Sequence, residues 1–207
     1  MSDRLDTLRS LIRAGADRAR DRLEGIGPVA AVRKVIQELR RQRTIVTDRQ
    51  LGSALAHAPG VEVASVSARR GALRVDATFR DGHTVAFDLM PFAARFAPRG
   101  AKEIVLQVVP PEAAGDTRVR DLVSSLAGAI AQGLWAVMLR PKPEDLHGAI
   151  VDRDGEGLLR VDLRTVPAVR KVQGKGPAAL ALELLELQRI VIEEGELALK
   201  VKLPPLG

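Results

Sequence analysis

Apolar residues recur along the start of the chain at steps of three and four. Leu5, Leu8, Ile12, Ala16, Ala19, Leu23 and Ile26 share one face, the period of an amphipathic helix. Gly25, Gly27 and Pro28 break that helix, and Pro28 suits the first turn of the next. Val29, Val32, Ile36 and Leu39 carry its stripe. Thr47 or Asp48 is placed to cap a short helix reaching His57, which Pro59-Gly60 ends.

The period then becomes two. Val61 to Arg69 predicts a strand, Arg70-Gly71 a turn, and Leu73, Val75, Ala77 and Phe79 alternate with polar residues as in a half-buried strand. Asp81-Gly82 is a hairpin signal. Val85, Phe87 and Leu89 continue the apolar face, Pro91 and Pro98 bound an irregular connection, and Glu103 to Val109 is a further strand. Asp116 or Thr117 opens the longest helix, expected to run to Leu139 before Arg140-Pro141. Leu146 to Asp152 and Leu158 to Leu163 look like strands joined at Asp154-Gly155. Pro167 and the run 174–177 break the chain, Ala178 to Leu185 forms a short helix, and Gln188 to Glu193 and Glu196 to Leu203 form a closing hairpin.

Composition sharpens this. The chain is 46% hydrophobic but only 2% aromatic, so its core must come from Leu, Val, Ile and Ala. No cysteine is present, which excludes thiolate metal sites, disulfides and a cysteine nucleophile. The net charge is +6, and residues 1–43 hold 11 Lys/Arg against 6 Asp/Glu. The basic character therefore sits in the N-terminal segment, where Arg33, Lys34, Arg40, Arg41 and Arg43 are candidates for contact with an anionic membrane surface. Packing of the apolar stripes on the body, or on a second copy of the chain, is the alternative. That segment contains no aromatic residue, so nucleic-acid binding by base stacking has no support. Charges interrupt residues 1–9 every few positions, unlike a secretory signal, and cytoplasmic residence is the expectation.

Catalytic motifs do not assemble. His57, His83 and His147 lie far apart in sequence, with no helical metal-ligand spacing. The acidic run at 152–156 has its glycines in the wrong places for a calcium loop. Gln173-Gly174-Lys175-Gly176-Pro177 lacks the phosphate-loop spacing and its Lys-Ser/Thr pair. Neither a metal nor a cofactor is expected, and the chain is expected to bind rather than to catalyse.

Leu122 to Leu139 reads LVSSLAGAIAQGLWAVML and holds no charge. A membrane span needs about 20 apolar residues, and Ser124, Ser125, Gly128, Gln132 and Gly133 dilute this one. A buried helix fits better, with small residues that let a sheet or a ligand approach closely. Alternating hairpins with glycine turns beside a long apolar helix resemble the tubular lipid-binding superfamily, which includes bactericidal/permeability-increasing protein and small bacterial relatives. The resemblance lies in Thr47 to Arg80, Asp116 to Leu139 and Gln188 to Leu203.

It implies an α+β fold: a strongly twisted, mainly antiparallel sheet wrapped around the apolar helix, with residues 1–45 as a basic helical segment and 46–207 as the ligand-binding body. It also implies carriage of a lipid or other long apolar molecule in a groove between sheet and helix. The candidate lining is Leu73, Val75, Val85, Phe87, Leu89, Ile104, Leu106, Leu126, Ile130, Leu134, Leu197, Leu199 and Val201. Bulk at Gly128 or Ala131 should block such a groove and leave the fold intact.

Overall fold

The computed structural model describes residues 44–97, 100–135, 143–173, 183 and 185–202. The expected helices of residues 1–43, the five basic candidates Arg33, Lys34, Arg40, Arg41 and Arg43, and most of the expected helix at 178–185 lie outside the described residues. The fold is α+β, with two antiparallel sheets and helices.

Strand β1 (Thr44–Thr47) leads directly into helix α1 (Asp48–Ala56), with Thr47 as N-cap. Thr47 and Gln50 form a reciprocal capping box, which satisfies two otherwise orphaned amides. Four strands follow: β2 (Val61–Arg69), β3 (Ala72–Phe79), β4 (Thr84–Phe96) and β5 (Lys102–Val109). Helix α2 (Thr117–Leu134) is capped by the Asp116 carboxylate, which accepts from the Arg118 amide. Strands β6 (Val151–Gly155) and β7 (Leu158–Asp162), helix α3 (Pro167–Val172) and the hairpin of β8 (Glu186–Glu193) and β9 (Glu196–Lys202) complete the chain. The large sheet has the order β2-β3-β4-β5-β7-β6, and the small one β1-β9-β8.

Several boundaries differ from the sequence expectations. Strand β1 pairs Thr44 with Leu199 and Val46 with Leu197, so a domain boundary at residue 45 would cut a strand of the body. Strand β4 does not stop at Pro91. It continues past a bulge at Phe92, where the pairing slips between Pro91 and Ala93, and a bulge is where a residue lacking an amide hydrogen fits in a sheet. Helix α2 ends at Leu134 rather than Leu139, because Trp135 leaves helical geometry at φ −120°. Residues 147–150 are not a strand; β6 begins only at Val151. Pro167 starts a helix instead of breaking one, as its missing donor allows at a first turn.

One apolar cluster runs through both sheets and α2. Every residue of α2 from Leu122 to Ala131 is buried, so this stretch of the helix is enclosed on all sides. Among the described residues no helix is long and apolar enough to cross a membrane. The hairpin tips tie the sheets together. The Gly71 amide donates to the Ile192 carbonyl and the Gly195 amide to that of Ala68, each at 3.1 Å. A second tie is Lys102, whose side chain is 0% exposed. Its ammonium donates to the carbonyls of Ala97, Glu183 and Leu185 at 2.8, 3.1 and 2.9 Å. All three of its donors are thus used, which is how a buried ammonium is tolerated.

Candidate functional site

The apolar residues expected to line a groove do come together, but as packed core. Leu73, Val75, Phe87, Leu89, Ile104, Leu106, Leu126, Ile130, Leu134, Leu197 and Leu199 are all buried in the common cluster, with Val85 and Val201 half-buried against it. Phe87 and Val75 are 0% exposed. A void wide enough for a lipid tail would leave its walls exposed to it, so the space beneath α2 is filled by these side chains as in an ordinary core.

The small residues of α2 serve a different neighbour. Residues 146–149 cross the helix as a strap. A Cβ placed on Gly128 would lie 1.8 Å from the Leu146 carbonyl oxygen, so glycine there admits a backbone, not a ligand. Substituting leucine at this position would therefore displace the strap, contrary to the expectation that bulk at Gly128 spares the fold. Ala131 is likewise fully buried. One turn earlier, the Ser124 hydroxyl donates to the Ala149 carbonyl at 3.0 Å and accepts from the Gly148 amide at 3.2 Å. Gly148 takes φ 92°, a left-handed conformation open to glycine, and this turns the strap.

The strap carries His147 between two adjoining clefts. The first, of about 350 Å³, is lined by Arg49, Gln50, Ser53, Ala54 and His57 from α1 and its C-cap, and by Gln132, Leu146 and His147. The second, of about 260 Å³, is lined on α2 by Thr117, Arg120, Asp121, Ser124 and Ser125, and across from it by Pro59, His147, Gly148, Ala149 and Val151. The rings of His57 and His147 lie 6.4 Å apart at 24°. Sequence separation hid this pairing. The one signal available was the Ser124, Ser125, Gly128 spacing, which marks a close approach to α2 without saying what approaches.

Hydrogen bonds set the tautomers. The Ser125 hydroxyl donates to the Asp121 carbonyl at 3.1 Å, the usual back-bond of a helical serine. Its single proton is then used, so at 2.9 Å it accepts from His147 Nδ1. His57 Nδ1 donates to the Ser53 carbonyl at 2.7 Å. When neutral, both rings therefore keep their lone pair on Nε2. Burial, with His57 beside it, pushes the His147 imidazole below its usual range. Burial also raises the Asp121 carboxyl, against the pull of Arg120. Arg120 Nη2 donates to Thr117 Oγ1 at 3.1 Å, while its buried Nε has no hydrogen-bond partner.

Chemically, this is a donor-rich pair of clefts. The hydroxyl nearest an imidazole, Ser125, is 1% exposed and hydrogen-bonded within its own helix, unlike an activated nucleophile awaiting substrate. Among the described residues no group of three or more His, Cys, Asp or Glu side chains converges as a metal site. No protein-family model, curated protein or solved structure matches this chain significantly.

Proposed function

We propose that the protein is a non-catalytic binding domain that holds a small polar ligand in the double cleft around His147. The observation that carries this reading is the position of His147, on a strap pinned to α2 and shared by both clefts. The first cleft falls within the about 300–1,000 Å³ usual for ligand sites. The orphaned Nε of Arg120, in the lining of the second, is a buried donor of the kind a ligand satisfies.

Filling the cleft tests it. Gln132 is exposed and lines the first cleft, so Gln132→Trp should occupy the space and keep the fold. Polar fragments detected by saturation-transfer NMR should bind the natural chain and fail to bind this variant. Fragment binding that survives the substitution would place the site elsewhere.

Carriage of a long apolar ligand is a second reading, favoured by the continuous aliphatic layer from β3, β4 and β5 through α2 to β9 and by the resemblance to tubular lipid-binding proteins. Such a ligand would have to part α2 from the sheet. The charge and stripes of residues 1–43 support contact with an anionic membrane or pairing with a second copy. Vesicle binding across a salt series separates these two, since only the membrane contact weakens as salt rises.

A further inference from the structure

We infer that the first cleft is an oxyanion site whose affinity is set by protonation of the His57–His147 pair. This rests on the proposed binding role of that cleft and names its ligand class. The polar residues of the lining are Arg49, Gln50, Ser53, His57, Gln132 and His147, with no Asp or Glu among them. The Gln50 amide oxygen already accepts from the Thr47 amide and lies 3.2 Å from the Thr47 hydroxyl, so Gln50 has its NH₂ to offer. Both histidines commit Nδ1 to internal oxygens. Each ring can therefore become a donor at Nε2 only by taking up a proton.

Two charged rings 6.4 Å apart repel. An oxyanion against them removes that repulsion, so anion and protons bind together, and each strengthens the other by the same factor. None of the neighbouring carboxylates is in the lining of this cleft. On α1, the Asp48 carboxylate accepts from the Ala68 amide at 2.9 Å, and Arg49 is in the lining. On α2, Arg120 and Asp121 belong to the second cleft. Before the strap come Glu144 and Asp145, and Asp145 is paired at 2.6 Å with Lys171 of α3. The same Nε2 lone pairs would suit a transition metal, which needs neutral imidazoles. The guanidinium and the carboxylate-free lining favour the anion.

The experiment is an NMR titration of the three histidine rings from about pH 8 to about pH 5, spanning the imidazole range. It is run with and without sulfate, which stays fully ionised there, at constant ionic strength. At saturation the pKa values of His57 and His147 should each rise by about one unit, so that sulfate binds about a hundredfold tighter at the acid end, about tenfold for each ring. His83 is the internal control: its ring faces Asp116 at 3.6 Å and lies outside the cleft lining. Arg49→Ala and His57→Ala, both at exposed positions, should each weaken sulfate binding about tenfold, the equivalent of one lost charge-assisted contact, without unfolding the chain.

Phosphatidylglycerol vesicles that displace sulfate would place the oxyanion on a lipid headgroup. Vesicles without effect would make it a soluble molecule. Both results uphold the inference. Imidazoles that ignore sulfate, or three histidines that shift alike, overturn it. Zinc binding that tightens as pH rises, with no sulfate response, also overturns it and makes the pair a metal-ligand set. Polar fragments that bind the cleft while sulfate does not would sink the oxyanion and leave the binding role standing, whereas failure of both would sink both.

Discussion

Helix α2 has two sides with opposite characters. Toward the sheets it presents Leu122, Leu126, Ile130 and Leu134, buried in one continuous aliphatic layer. Toward the strap it presents Thr117, Arg120, Asp121, Ser124, Ser125 and Gly128, which line a cleft or receive a backbone. An apolar helix suggests an apolar site, yet here the apolar side is packed core. Hydrogen-bonding groups gather on the narrow polar side, where small residues let a loop and its histidine come close.

The comparison can be broken most forcefully from the apolar side. Phe87→Ala should cost about 3–5 kcal/mol, the usual range for emptying an aromatic core position, read by urea denaturation. A near-neutral result would mean that the layer under α2 is loosely filled and open to a ligand. From the polar side, Gly128→Ala should cost about 3 kcal/mol, at the upper end for overpacking, because a backbone carbonyl must move. Its telling readout is the His147 ring signal, which should shift as the strap lifts. If Gly128→Ala retains both stability and the His147 signal, the strap is not seated on the helix.

A smaller effect tests the electrostatics. His147 has a folded-state pKa below the ordinary imidazole value of 6.5, through burial and His57. The unfolded chain then binds more protons as pH falls through 6.5 toward the lowered value. Stability should fall across that window and level off below it. His147→Gln, which keeps a donor for Ser125, should flatten the slope. A slope unchanged in this variant would assign the pH dependence to another group.

Much of the body was legible from period and turn chemistry. The β3 alternation, the Asp81-Gly82 turn and the Asp116 cap appear where expected, because each depends on neighbours in sequence. What escaped depends on distant neighbours. Strand β1 has four residues, and its pairing is with β9, about 150 positions away in a chain whose local signals stop at a few residues. The β4 bulge lets Pro91 stay in a strand through its pairing with β5. The site was hardest to see. His57 and His147 meet only because Gly128 and Ser124 hold the strap on α2, a long-range contact with no periodic signature.

The central claim is that ligand meets the protein at the histidine cleft and not in the layer beneath α2. Octanoate tests it most directly, since it carries both an oxyanion and an aliphatic tail. It can be titrated into labelled protein while the imidazole signals of His57 and His147 and the methyl signals of Leu89, Ile104 and Leu126 are followed together. The account predicts that the imidazoles move and the buried methyls do not. Methyls that move while the imidazoles stay still would contradict it, and would return the functional site to the aliphatic core.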